Sequence, residues 1–139
     1  MELLPLPKYL LAIVVAWAIA SLIKVIINFI KKKRVSKKPV FSTGGMPSAH
    51  TAPVVALTTV IAFTDGIRSV AFAIALVLAV VIMVDAVQVR RATGEQGEAI
   101  NELLPKNAKR PHFSRGHKPI EVAIGALIGV VVGIVIFYI

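Results

Sequence analysis

The chain reads as an all-α, polytopic membrane helix bundle, and three observations predict it. Hydrophobic residues make up 57% of the 139 positions, above the roughly 45–50% usual for soluble domains. They collect into four long runs, at 9–30, 48–63, 69–89 and 120–139. The cations gather between alternate runs instead of spreading evenly. The length suits a single domain spanning 1–139.

The first run, 9–30, meets the roughly 20 apolar residues that a helix needs to cross a bilayer. It follows Glu2 and a lone Lys8, lacks a small-x-small exit and ends in a basic stretch. It therefore reads as a retained helix, not a cleaved signal. The second run, 48–63, is shorter and richer in threonine and alanine. A tilted span, a shielded one and a helix that starts inside the protein all fit it.

The third run, 69–89, is apolar until Asp85. Its polar positions then continue with helical spacing through Gln88, Arg91, Glu95, Glu98, Asn101 and Glu102. This predicts an amphipathic extension beyond the membrane to about residue 104, stopped by Pro105. The fourth run, 120–139, carries Gly125, Gly129 and Gly133 four apart. Such a stripe permits close helix packing, within one bundle or between copies in a homo-oligomer.

Charge orients these segments. Of 16 Lys and Arg residues, Lys31, Lys32, Lys33, Arg34, Lys37 and Lys38 follow the first run, and a second group occupies 90–118. The turn at 64–68 carries only Asp65 and Arg68. Basic short loops stay in the cytoplasm. The expectation is an inner-membrane protein with loops 31–47 and 90–118 cytoplasmic and both termini outside. The net charge of +9 then suits anionic head groups. Nucleic acid is not expected, because no stacking aromatics interleave the cations. With no cysteine, disulfides, thiolate catalysis and thiolate metal sites are excluded.

Two histidines stand at the mouths of membrane segments. Gly44-Gly45 permits positive-φ backbone. Pro47 suits a first turn, and Ser48 can cap the helix or donate to a ligand. His50 follows at once, and free N–H groups at such a helix start attract anions. An ordinary capped helix with an interfacial histidine explains the same pattern. Asp85 is an acid inside an apolar segment, a placement that is usually functional or paired. Pairing with Arg90 or Arg91 and a direct chemical role are both open.

His117 and Glu121 are four apart, on one helical face. The carboxylate can accept the imidazole Nδ1–H, which leaves Nε2 as the free nucleophile. A helix-capping ion pair is the plainer alternative. His112 has no spaced acidic partner and reads as solvated.

Together these residues resemble the type-2 phosphatidic acid phosphatase and vanadium haloperoxidase superfamily, whose pattern is K-x6-R-P, P-S-G-H and S-R-x5-H-x3-D. Pro47-Ser48-Ala49-His50 is close to the second part, and His117-x3-Glu121 matches the end of the third. Lys31-x6-Lys38-Pro39 has the first spacing with lysine for arginine. Ser114-Arg115 stands too close to His117, and Arg110 is one residue too far.

The chain looks most like a divergent branch of small membrane proteins related to these enzymes. The stretch from Thr43 to His50, Asp85 to Arg91 with Gly94 and Gln96, and Gly116 to Val122 with Gly125 and Gly129 carry that likeness. It implies a metal-independent, cofactor-free phosphatase acting on a membrane lipid phosphate. In that scheme His117 attacks phosphorus, Glu121 orients it, and His50 serves as acid and then base. Ser48, Lys38, Arg90, Arg91 and Arg115 would bind phosphate, with Asp85, Gly44, Gly45 and Pro47 supporting. A non-catalytic binder of anionic lipids and a small ion or solute transporter are the rival expectations.

Overall fold

A computed structural model describes residues 8–30, 45–105, 107–108 and 116–139. The described residues form helices α1 (Lys8–Ile30), α2 (Thr51–Thr64), α3 (Val70–Val84), α4 (Arg90–Leu103) and α5 (Pro119–Tyr138). A π-helical turn, Asp85–Val89, joins α3 to α4 without a break. Val70–Leu103 is thus one 34-residue helix. No strand occurs among the described residues. The all-helical class expected from the apolar runs is what the structure shows.

Among the described residues, three helices are long and apolar enough to cross a membrane: α1, Val70–Leu103 and α5. The second expected span departs from this. Helix α2 has 14 residues and rises only about 21 Å, against a hydrocarbon core of roughly 30 Å. It is an inner post, packed on α1, α3 and α5 together. Its short, threonine-rich sequence suits that position. Thr58 and Thr59 return their hydroxyls to the carbonyls of Val54 and Val55, at 2.7 and 2.8 Å, so little unmet polarity reaches the core.

The core is built from small residues. Ala12, Ala16 and Ala20 form a fully buried stripe on α1, facing Ala52 and Ala56 of α2. On α5, Gly125, Gly129 and Gly133 are buried against α2. A Cβ at Gly129 would stand 2.5 Å from the Ala52 carbonyl oxygen. Where lipid tails are as apolar as leucine, close backbone approach is what helices gain by packing. The glycine stripe therefore seats α2 within the same chain.

The order of those contacts sets helix direction. Gly125 meets Ser48, Gly129 meets Ala52 and Val55, and Gly133 meets Ala56 and Thr59. Helices α2 and α5 thus run parallel, with both N-termini at one end of the bundle. Helix α1 runs the other way. Lys8 Nζ donates to the Phe137 carbonyl at 2.8 Å, and the Tyr9 hydroxyl donates to Asp65 Oδ1 at 2.9 Å. One end therefore gathers Lys8, the 64–69 turn and the C-terminus. The other gathers His50, Asp85 and His117.

Candidate functional site

Each histidine is held at that end by its own helix start. The regular part of α2 begins at Thr51, yet Ser48 already caps it. Its Oγ accepts from the Thr51 N–H at 3.4 Å and the Thr51 hydroxyl at 2.9 Å, and its carbonyl accepts from Ala52 N–H at 3.3 Å. Gly45 holds φ at +89°, the left-handed region where a side chain is strained. Pro47 and Ser48 are fully buried. His50 follows with its ring exposed into a cavity.

Helix α5 starts in a matching way. The Glu121 carboxylate accepts from the Lys118 backbone N–H at 3.2 Å, the return half of a capping box. The same Oε2 lies 3.1 Å from His117 Nδ1. A carboxylate offers no proton, so Nδ1 carries the hydrogen and Nε2 keeps a free lone pair. His117 is 4% exposed. The two helix starts are tied directly, Ser48 N–H donating to the Glu121 carbonyl at 3.1 Å.

The third element is the π-turn. Arg90 N–H bonds the Asp85 carbonyl, not that of Ala86 as an uninterrupted α-helix would require. The Ala86 carbonyl instead accepts the His117 backbone N–H at 3.0 Å. Gly116, at φ +66°, lies directly on the backbone of Arg90 and Arg91, where a Cβ would come within 2.6 Å of the Arg91 nitrogen. The extra residue of the π-turn also brings Asp85 and Arg90, five apart, into a 2.6 Å ion pair. Of the two pairings the sequence left open for Asp85, this is the one formed.

A cavity of about 440 Å³ joins these parts. His50, His117, Asp85 and Arg90 line one end, and Ile13, Trp17, Val54, Leu57, Leu78 and Ile82 line the rest. The His50 pKa lies below the usual histidine value. Desolvation by the surrounding walls is the main cause, and the charges of Arg90, His117 and Lys24 act in the same direction, opposed by Asp85.

The remaining expected phosphate ligands fall elsewhere. Arg91 turns to Glu95 at 3.0 Å on the exposed face of α4. Ser48 is buried as cap and tie and does not line the cavity, because its Oγ and N–H are engaged with Thr51 and Glu121. Lys38, Gly44 and Arg115 lie outside the described residues, as does His112. Among the described residues, no group of three or more His, Cys, Asp or Glu side chains converges to hold a metal.

One site residue escaped the sequence reading. Lys24 is 5% exposed within α1. Its Cε lies 3.7 Å from where a Cβ at Gly45 would stand, and Glu121 is near enough to stabilise its charge. The signal was present: Lys24 continues the stripe Ala12, Ala16, Ala20 by one more step of four. A charge on the buried face of a membrane helix is a functional signal by default.

Fold and site together define a small helical membrane protein with paired histidines at the N-termini of two parallel helices. The chain belongs to the Divergent PAP2 family, which it matches over residues 7–132. It is 40% identical to the uncharacterized membrane protein YuiD of Bacillus subtilis (strain 168), over 159 aligned positions covering 99% of this chain and 98% of the relative. No solved structure matches it.

Proposed function

We propose that this protein is a membrane-embedded phosphatase that hydrolyses a lipid phosphomonoester or diphosphate through a phosphohistidine. The observation that carries this reading is the contrast between the histidines. His117 is buried with Nδ1 engaged by Glu121, and His50 is exposed into the same cavity with a lowered pKa.

In the first step His117 Nε2 attacks phosphorus. The phosphorus–oxygen bond to the lipid breaks, and His50 gives its proton to the leaving oxygen. In the second, His50 takes a proton from water, whose oxygen attacks phosphorus. The phosphorus–nitrogen bond breaks and inorganic phosphate departs. Glu121 stabilises the charged imidazole throughout. Arg90 and Lys24 offset phosphate charge, since phosphoryl transfer asks mainly for positioning and electrostatics. Lys38 and Arg115 join this set by charge alone, and Ser48 serves it as a helix cap. The scheme requires no metal or cofactor.

The basic loops support a cytoplasmic site, so the substrate would come from the inner leaflet. Phosphate release from a panel of lipid phosphates by purified protein tests the reading. We expect His117→Ala and His50→Ala each to lose about 10²-fold or more. Release that survives both substitutions would refute it. Lipid binding without any release would instead favour a non-catalytic anionic-lipid binder, the reading supported by the chain's departure from the superfamily arginine pattern.

A further inference from the structure

The cavity is far longer than a phosphate needs, and its apolar part is ordered by depth. Along α1, Trp17 and Ile13 line it four residues apart, about 6 Å. On α2, Leu57 is about 10 Å beyond His50, and on α3 Leu78 is about 10 Å beyond Asp85. Three helices therefore line one groove that runs parallel to their axes. Its lining residues reach about 10 Å from the histidine end on α2 and α3, within one leaflet, half of the roughly 30 Å hydrocarbon core.

The groove also has a side opening. Helices α1 and α3 both pack on α2, but neither packs substantially on the other. Trp17 and Leu78 line the groove and are 45% and 46% exposed. One belongs to α1 and the other to α3, on either side of the gap between those helices.

We infer that this groove receives the hydrocarbon chain of the phosphate-bearing lipid, which enters sideways between α1 and α3 and lies alongside its own leaflet's tails. The inference rests on the phosphatase reading for the head group and adds the tail's route and seat. Continuity fixes the occupant: Arg90 and the histidines stand at one end, and the apolar walls continue from them. A chain moving from bilayer to groove exchanges one apolar surroundings for another, so it gains little free energy. The groove therefore acts by admission and alignment, favouring long-chain lipid phosphates that reach the site from within the membrane.

The experiment uses full-length protein in vesicles of phosphatidylcholine with a long-chain phosphatidate bearing a photoreactive diazirine midway along one acyl chain. Labelling is expected to concentrate on peptides containing Trp17 and Leu78, and to fall at least fivefold with excess unlabelled phosphatidate. Labelling spread equally onto lipid-facing Leu127 of α5, 63% exposed, would overturn the inference. This readout needs no turnover, so it separates the groove from the phosphatase reading.

Activity supplies the second arm. Leu78→Trp, at a half-exposed position that tolerates bulk, narrows the gap. It is expected to slow hydrolysis of the long-chain lipid at least tenfold more than hydrolysis of a short, water-soluble phosphomonoester. Equal loss on both substrates, or on neither, contradicts sideways entry. Val54→Trp, from the opposite wall, repeats the test should the first variant misfold.

Discussion

His50 and His117 are the same residue type at equivalent helix starts, and their surroundings make them chemically different. Burial and the 3.1 Å contact with Glu121 fix the tautomer of His117. Around His50, desolvation by apolar walls and then neighbouring cations hold its pKa down, opposed by Asp85. At pH 7 it is therefore mostly neutral, ready as a base and short of the proton it needs as an acid. We expect kcat/KM for a lipid phosphate to rise as the pH falls from 7 towards the lowered pKa. Arg90→Gln removes one of the charges that depress it and should move that limb to higher pH. A limb at the same pH in both proteins would contradict the assignment. At this scale the sequence exposed both histidines and Glu121 through local spacing. It hid Lys24, whose importance comes from an inward stripe of alanines that only helix packing turns into a buried face.

At the scale of elements, the π-turn does what a regular helix could not. It directs the Ala86 carbonyl to His117 and pairs Asp85 with Arg90. π-turns cluster at functional sites for such reasons. Deleting Val87 should restore α-helical bonding and rotate the flanking segments by about 100° relative to each other. The Ala86 carbonyl would regain a partner within the helix, and His117 would lose its anchor. We expect phosphatase activity to drop more than tenfold while membrane insertion and helix content persist. Full turnover in the deletion variant would show that the turn has no part in positioning. No local pattern marks this turn, because its five residues keep ordinary helical character. Helix class and the extension past Asp85 were legible, since long apolar runs and polar periodicity decide them locally. The short reach of α2 followed from composition, but its central place depends on glycines some 80 residues away.

Over the whole molecule, parallel packing of α2 and α5 brings together groups that the chain separates by 67 residues. It also puts both ends of the described chain beside the 64–69 turn, opposite the histidines. The proposal that the histidine end faces the cytoplasm rests on the charge pattern. The absence of native cysteine makes this directly testable with single-cysteine variants and an impermeant thiol reagent on intact cells. Ile67→Cys should react from outside, and Glu98→Cys only after permeabilisation. The reverse pattern would move the proposed substrate to the other leaflet.

The proposed mechanism turns on His117 carrying the phosphoryl group. Incubating the purified protein with a ³²P-labelled lipid phosphate and quenching in alkali tests it most directly, because a phosphohistidine survives base and is lost in acid. We expect base-stable, acid-labile label on the peptide containing His117, present in His50→Ala and absent in His117→Ala. Phosphate release with no label on that peptide in either the native protein or His50→Ala, or with label on another residue, would contradict it.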